Sequence, residues 1–343
     1  MPERENRLAC FLAEARRANW LRTPLAGDAS ARRYERLRDP ASGWTEVLMD
    51  APPDKGENVR RFAEIAAFLR SLGLSAPEPL ATDEGAGFLL LEDLGDDLFA
   101  RVAPRNPELE SGLYDAAAEA LAVVSRADPP PDLRAYDPDL MATAAALSYD
   151  WYAFGVAGRV PDARDRFAEE LNAELAFCSA GRQTTILRDY HAENLLWLPD
   201  RKGAARVGLL DFQDAMLGHP AYDVMSLLTD ARRDVPHAIA NRTAKRFARL
   251  VGLETEEFER AFALLGTQRN LRILGVFARL SLLFGKPRYV DLIPRVWGHL
   301  ETGLRHPALT SLARRILSDL PPPDSAALHR LKAKCATATA PTP

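Results

Sequence analysis

Asp189, Asn194 and Asp211 are the residues of this sequence whose types and spacing suggest chemistry. Asp189 follows the β-type run Thr184 to Leu187. Asn194 stands five residues later, where the run Leu195 to Leu198 begins, and Asp211 closes the run Val207 to Leu210. A hairpin built from these runs would bring a loop carboxylate, an amide oxygen and a strand-end carboxylate to one edge. Phosphoryl transfer asks for such a set, because its catalysis is mostly positioning and charge stabilisation: a carboxylate near the acceptor hydroxyl and oxygen ligands for Mg²⁺ on the phosphates. Asp and Asn also favour turns for conformational reasons alone, so a lone Asp-x-x-x-x-Asn says little. Here the pattern lies between β-runs and a second acidic strand end follows it.

Several elements must position these groups. Residues 22–95 read as strands around one helix. Arg22 to Leu25 and Ala31 to Leu37 are short strands joined by the turn-rich Ala26-Gly27-Asp28-Ala29-Ser30, and Trp44 to Asp50 is a third after the turn at Asp39 to Gly43. Asn58 is an N-cap for a helix with Val59, Phe62, Ile65, Leu69 and Leu72 on one face, stopped by Gly73. Phe88 to Leu91 is a continuous apolar run of the buried-strand kind. After Gly95 helical periodicity dominates, over Leu113 to Ser125, Met141 to Phe154, Ala163 to Cys178, Ile239 to Val251, Thr255 to Leu265 and Leu271 to Leu283. The layout is α+β: a small β-rich lobe with its connector over 1–95, a large mainly helical lobe over 96–336 carrying the catalytic motif, and a polar tail over 337–343 that is expected to be disordered. Two unequal lobes imply a cleft.

Bulk properties narrow the partners. The 343 residues carry a formal charge of −4 with both signs interspersed and no basic stripe, which argues against nucleic acid. The N-terminus lacks the pattern of a secretory signal, and the longest apolar stretch, Ile273 to Phe284, is broken by Arg279 and too short to span a bilayer. Three scattered cysteines, Cys10, Cys178 and Cys335, form neither a disulfide framework nor a zinc site. The expectation is a cytoplasmic protein with no membrane partner.

The Asp189…Asn194…Asp211-Phe212 pattern resembles the catalytic loop and metal motif of the aminoglycoside phosphotransferase and protein-kinase superfamily. The resemblance implies a two-lobed, protein-kinase-like fold, ATP as donor and Mg²⁺ as cofactor. It makes Asp189 the catalytic base or the group that orients the acceptor hydroxyl, and Asn194 and Asp211 the metal ligands. Gly218-His-Pro-Ala-Tyr-Asp223 looks like the segment that opens the next helix in these kinases, so Asp223 would support the loop through backbone hydrogen bonds. The small lobe departs from the pattern: one glycine stands in Gly27-Asp-Ala-Ser-Ala-Arg-Arg, and Met49 occupies the place of the strand lysine. Ser30, Arg32 and Arg33 are candidates for the phosphates, Glu64 is a weaker candidate to pair with one of these arginines, and Glu92 and Leu94 lie on a connector whose backbone would meet the adenine.

The wider wording, with Val47-Leu-Met-Asp-Ala-Pro-Pro, Leu89-Leu-Leu-Glu-Asp-Leu-Gly-Asp-Asp and His191-Ala-Glu-Asn-Leu-Leu-Trp-Leu-Pro-Asp-Arg, resembles the bacterial N-acetylmuramate/N-acetylglucosamine kinases, which phosphorylate an anomeric hydroxyl in cell-wall recycling. A sugar acceptor needs hydrogen-bonding groups and an aromatic face. Gln213 and Asp214 are candidates for the first and Trp151 with Tyr152 for the second, core packing being the other reading of the two aromatics. His191 orients the loop or touches the sugar, and Glu193 is either a second acid or a solvated loop residue. Arg188, Arg232 and Arg233 are candidates to meet a muramic acid carboxylate. Two other readings stay open: a kinase for a cationic acceptor such as an aminoglycoside or choline, suggested by the acids between Tyr136 and Glu174, and an inactive nucleotide-binding scaffold, suggested by Met49.

Overall fold

The computed structural model describes residues 2–25 and 31–337. In chain order the elements are α1 (Pro2–Glu14), β1 (Leu21–Leu25), β2 (Arg33–Arg38), β3 (Thr45–Asp50), α2 (Val59–Ser71), β4 (Pro79–Asp83), β5 (Phe88–Glu92), α3 (Phe99–Arg105), α4 (Pro107–Arg126) and α5 (Pro138–Leu147). A wide π-type turn, Ser148–Ala153, then leads into α6 (Phe154–Ala157) and α7 (Arg164–Ala180). The rest comprises β6 (Thr184–Ile186), β7 (Leu195–Trp197), β8 (Val207–Leu209), β9 (Met216–Gly218), α8 (Ala221–Leu228), α9 (His237–Val251), α10 (Thr255–Leu282), α11 (Ile293–Leu304), α12 (Thr310–Asp319) and α13 (Ser325–Ala333). The chain divides into two compact units, one made of residues 1–120 and 192–215, the other of 121–191 and 216–343. Among the described residues no helix is long and apolar enough to cross a membrane.

The first unit is built on an antiparallel sheet in the order β1-β2-β3-β5-β4. β5 lies inside the sheet and buries Phe88, Leu89, Leu90 and Leu91 alike, which is why its sequence is an unbroken apolar run rather than an alternation. The turn before β5 requires glycine at Gly87: φ is 75°, and an added Cβ would stand 2.1 Å from the Ala51 carbonyl oxygen. Asn58 caps α2 by accepting from the Arg61 N–H at 3.2 Å, and Val59, Phe62, Ile65 and Leu69 are buried along its inner face. α1 and β4 are among the elements that escape the sequence reading. α1 seats Leu8, Phe11 and Leu12 in the cluster of Leu37, Leu48, Phe88 and Leu90. β4 opens on Pro79, which an edge strand tolerates because one row of its N–H groups is unpaired.

The three β-runs around the motif do not form one hairpin. β7 and β8 pair within the first unit, Leu195 opposite Leu209. They are fixed to residues before α3 through the Leu209 N–H to the Ser75 carbonyl at 2.8 Å and the Ser75 hydroxyl to the Ala205 carbonyl at 2.6 Å. β6 instead pairs with β9 in the second unit, Thr184 opposite Gly218.

The core helix of the second unit is α10. The sequence reading breaks it between Leu265 and Leu271, yet it continues for 28 residues because its polar middle is buried with partners. Gln268 donates to the Met141 carbonyl at 2.8 Å and to the Tyr136 hydroxyl at 3.2 Å, and Asn270 donates to the Gly266 carbonyl at 2.8 Å. Gly275 lets α10 press on the end of α5, since a Cβ there would lie 2.2 Å from the Leu147 backbone carbon. The π-type turn starts at the next residue and carries Tyr149 and Tyr152 into the core.

Candidate active site

Asp189 lies on the loop after β6 in the second unit, its side chain 35% exposed, with an Arg272 amino nitrogen 3.7 Å from Oδ1. Burial alone would raise its carboxyl, but Arg272, then Arg269, His191 and Arg188 outweigh that and hold it below the usual carboxylate range. Asp189 is therefore ionised at neutral pH and equipped to accept a proton.

The loop is held from α8. Asp223 receives the N–H of Leu187 on one oxygen at 2.6 Å and the N–H of Arg188 on the other at 2.9 Å. The second bond anchors a residue in the left-handed region, Arg188 at φ 70°, a conformation a long side chain rarely adopts. Burial pushes the Asp223 carboxyl up to about 7, although the two N–H donors pull the other way. His191 is buried and lowered to about 4, chiefly by burial, so its ring is neutral; an Arg232 amino nitrogen stands 3.4 Å from its Nε2. His219 is lowered to about 4 by burial as well, and its Nδ1 accepts the Ala221 N–H at 3.1 Å where α8 begins.

The first unit holds Asn194 and Asp211 at the same end of the β7–β8 pair, the Asn194 amide nitrogen 3.4 Å from Asp211 Oδ2. Gln213 donates to Asp211 Oδ1 at 2.8 Å. Asp211 is also left-handed, at φ 57°, and the next residue, Phe212, is buried against Phe62 of α2 with ring centroids 4.8 Å apart. Arg32 donates to Glu57 at 2.5 Å and approaches Asp211 Oδ1 to 3.6 Å. Tyr34 completes this group; burial is the main reason its hydroxyl is raised. Among the described residues no three His, Cys, Asp or Glu side chains converge as a metal cage. One carboxylate beside one amide does fit Mg²⁺, which keeps several waters and takes further ligands from substrate phosphates.

The other expected residues are placed as follows. Met49 is buried on β3 opposite Tyr34 and Leu89, and Arg32, the residue before β2, is a cation that approaches Asp211 in the same unit. Glu64 pairs with its helix neighbours Arg60, at 3.0 Å, and Arg61, at 3.4 Å; the acid that pairs with Arg32 is Glu57 instead. Arg33 is exposed at the start of β2, and Ser30 lies outside the described residues. Glu92 accepts from Arg201 at 2.5 Å and from Arg70 at 3.4 Å, while Leu94 is buried. The connector is clamped by Arg36, which reaches Asp93 at 2.6 Å and Asp96 at 2.7 Å. Trp151 is only 5% exposed and Tyr152 fully buried, its hydroxyl on the Pro321 carbonyl at 2.7 Å, so both aromatics belong to the core. Gln213 is buried, whereas Asp214 and Glu193 are exposed. Arg269 and Arg272 were not among the candidates. The available signal was a pair of arginines three residues apart inside an apolar helical run, where charge is rarely left without a task.

The description "Phosphotransferase enzyme family" matches residues 22–262 of the chain. The chain is 40% identical to an N-acetylmuramate/N-acetylglucosamine kinase of Caulobacter vibrioides, over 90% of this chain and 95% of that protein. It is 35% identical to a protein of the same name from Pseudomonas aeruginosa, over 87% and 88% of the two chains. A choline/ethanolamine kinase family protein from Mesorhizobium loti superposes with a TM-score of 0.60 at 14% identity, over 97% of this chain and 100% of that one, a likeness of fold. With its motif residues on a five-stranded antiparallel sheet unit and a mostly helical one, this chain belongs to the phosphotransferase enzyme family.

Proposed function

We propose that this chain transfers the γ-phosphoryl group of ATP, with Mg²⁺, to the anomeric hydroxyl of N-acetylmuramate and N-acetylglucosamine, a cytoplasmic step in the re-use of cell-wall amino sugars. What carries the reading is Asp189: an ionised carboxylate set among arginines, in a chain similar over 90% of its length to a kinase named for those sugars. Asp189 hydrogen-bonds the acceptor hydroxyl and takes its proton; an anomeric hydroxyl is acidic enough for a modest base. Asn194 and Asp211 would hold Mg²⁺, which neutralises charge on the phosphates when bound. Arg32, kept in place by Glu57, meets the phosphates in place of the strand lysine, and Ser30 and Arg33 remain candidates from the sequence. The backbone of Glu92 to Leu94 meets the base of the nucleotide. Asp223 holds the loop, His191 packs beneath it, Gln213 aims Asp211, and Glu193 and Asp214 are left to face the acceptor.

The alternative of a cationic acceptor is disfavoured by the same surroundings. Arg188, Arg269 and Arg272 near Asp189 repel a polyamine, whereas acids would be wanted there. The test is ADP release with ATP and Mg²⁺ against N-acetylmuramate, N-acetylglucosamine, glucose, kanamycin and choline. Turnover of the two N-acetylated sugars, with an acid-labile product as an anomeric phosphate should be, is the expected result. Turnover confined to kanamycin or choline would overturn the substrate.

A further inference from the structure

In the second unit one arginine, Arg269, is buried on the core helix among other charged groups. Among its described residues, Asp189, Asp223 and Asp230 share their surroundings with Arg188, Arg232, Arg269 and Arg272. Asp223 is pushed up to about 7, so it supplies only part of a charge at neutral pH. Arg272 stands 3.7 Å from Asp189, and the Arg188 guanidinium lies over the Tyr136 ring, 5.0 Å from its centroid. Arg269 differs from these. It is on the core helix α10 and 4% exposed, its Nε, like those of Arg188 and Arg272, is buried without a hydrogen bond, and no hydrogen-bond or ion-pair partner meets its guanidinium among the described residues. It feels Asp189, Asp230 and Tyr222 only at longer range, and burial is the main reason its pKa lies below the usual arginine value.

A guanidinium buried without a paired anion is a large expense to the fold, and natural proteins keep such a group where an anion arrives. Arg269 and Arg272 are three residues apart on one helix, so both point to the same side, the side that faces Asp189. Under the reading above, that is where the acceptor's reacting hydroxyl sits. One of the two sugars carries an anion of its own: N-acetylmuramate differs from N-acetylglucosamine by a lactyl ether ending in a carboxylate. The fork of donors on a guanidinium matches a carboxylate in geometry as well as charge.

We infer that Arg269 and Arg272, with Arg188 beside them, form a carboxylate subsite for the acceptor, so that the acidic amino sugar is the preferred substrate. The inference rests on the sugar-kinase reading and is tested first without any substitution. kcat/KM is measured on the wild-type chain for N-acetylmuramate, for its lactyl carboxamide and for N-acetylglucosamine, each with ATP saturating. The carboxamide keeps the size of the acid, removes its charge and turns one acceptor oxygen into an N–H donor, so it can no longer receive both arms of a guanidinium fork. The acid is expected to exceed the carboxamide at least tenfold, mostly through KM. The same acid-to-carboxamide ratio is then measured for Arg269→Met and Arg272→Gln, and is expected to fall toward one in both, in whichever direction the absolute rates move. Equal turnover of acid and carboxamide by the wild type overturns the subsite while leaving the sugar kinase standing. A ratio that survives both substitutions overturns the assignment to these arginines, and a rise in the KM for ATP instead would give the anion to the phosphates. Should the wild type turn over neither sugar, the functional reading and the subsite fall together.

Discussion

At the residue scale, the proposed base and one proposed metal ligand have left-handed backbone beside them or in them. Arg188, just before Asp189, and Asp211 itself are left-handed, a conformation that is unfavourable by roughly 1 kcal/mol for residues with a Cβ. In each case a neighbour holds the backbone there: Asp223 by accepting the Arg188 N–H, and Phe212 by burying its ring against Phe62. The ionisation of Asp189 gives a prediction with a definite sign. Its carboxyl is held below the ordinary range, so Asp189 is already deprotonated throughout the neutral region. The activity should have no acid limb from Asp189 above pH 5, declining only as the pH falls through the depressed pKa. Asp189→Asn removes the proton acceptor, and kcat should drop by roughly 10²–10⁴-fold, the range of general-base catalysis. Initial rates between pH 5 and 8 check the first expectation and the variant's turnover the second; an Asn enzyme with most of its kcat would remove Asp189 from the base role.

The elements show which parts of this arrangement were legible in sequence. The strands flanking the motif and the cap of α2 follow from local pattern, because caps, turn residues and apolar periodicity act over a few residues; the loop-holding place of Asp223 comes from the family resemblance, since its partners Leu187 and Arg188 are distant in sequence. Pairing was not legible: Thr184 to Ile186 read as a neighbour of Leu195, but its partner is Met216 to Gly218, a choice made by tertiary contact between three-residue strands with nothing local to fix register. The continuity of α10 was hidden for a related reason. Thr267 to Asn270 looks like a break until Gln268 finds Met141 and Tyr136, residues more than a hundred positions away. The arginine pair on the same helix went unnoticed because only the folded helix faces it toward Asp189. Gly275 makes a prediction at this scale. Gly275→Ala would raise helix propensity, yet its Cβ would lie 2.2 Å from backbone at Leu147, so α10 has to back away from α5. The overpacking should dominate and lower stability by about 1–3 kcal/mol, read as a fall in the urea midpoint, with a stabilised variant contradicting the close approach.

For the whole molecule, acid is the condition that the buried histidines make hazardous. His219 is lowered to about 4 by burial, against an ordinary value near 6.5. A histidine whose folded pKa is depressed contributes stability that is present above the unfolded value and is lost as the pH falls toward the folded one. The contribution of His219 is on the order of 3 kcal/mol, disappearing between about pH 6.5 and 4. Thermal unfolding followed from pH 7.5 to 4.5 should show this loss, and His219→Gln should flatten the slope across that interval. An unchanged slope would mean that the ring stays neutral for some other reason or titrates exposed.

The discontinuous make-up of the first unit has a consequence for the order in which the protein can assemble on the ribosome. Its sheet is complete once residue 92 has emerged, but the β7–β8 pair that Ser75 holds arrives only with residues 195–209. Between those moments more than a hundred residues are synthesised, most of them destined for the other unit. The nascent sheet must wait with the Ser75 edge uncovered, and at the usual pace of roughly 5–20 residues per second that wait lasts many seconds. Asn194 and Asp211 flank the late-arriving pair, so the nascent chain acquires its proposed metal ligands only when that gap in the early-made unit is closed.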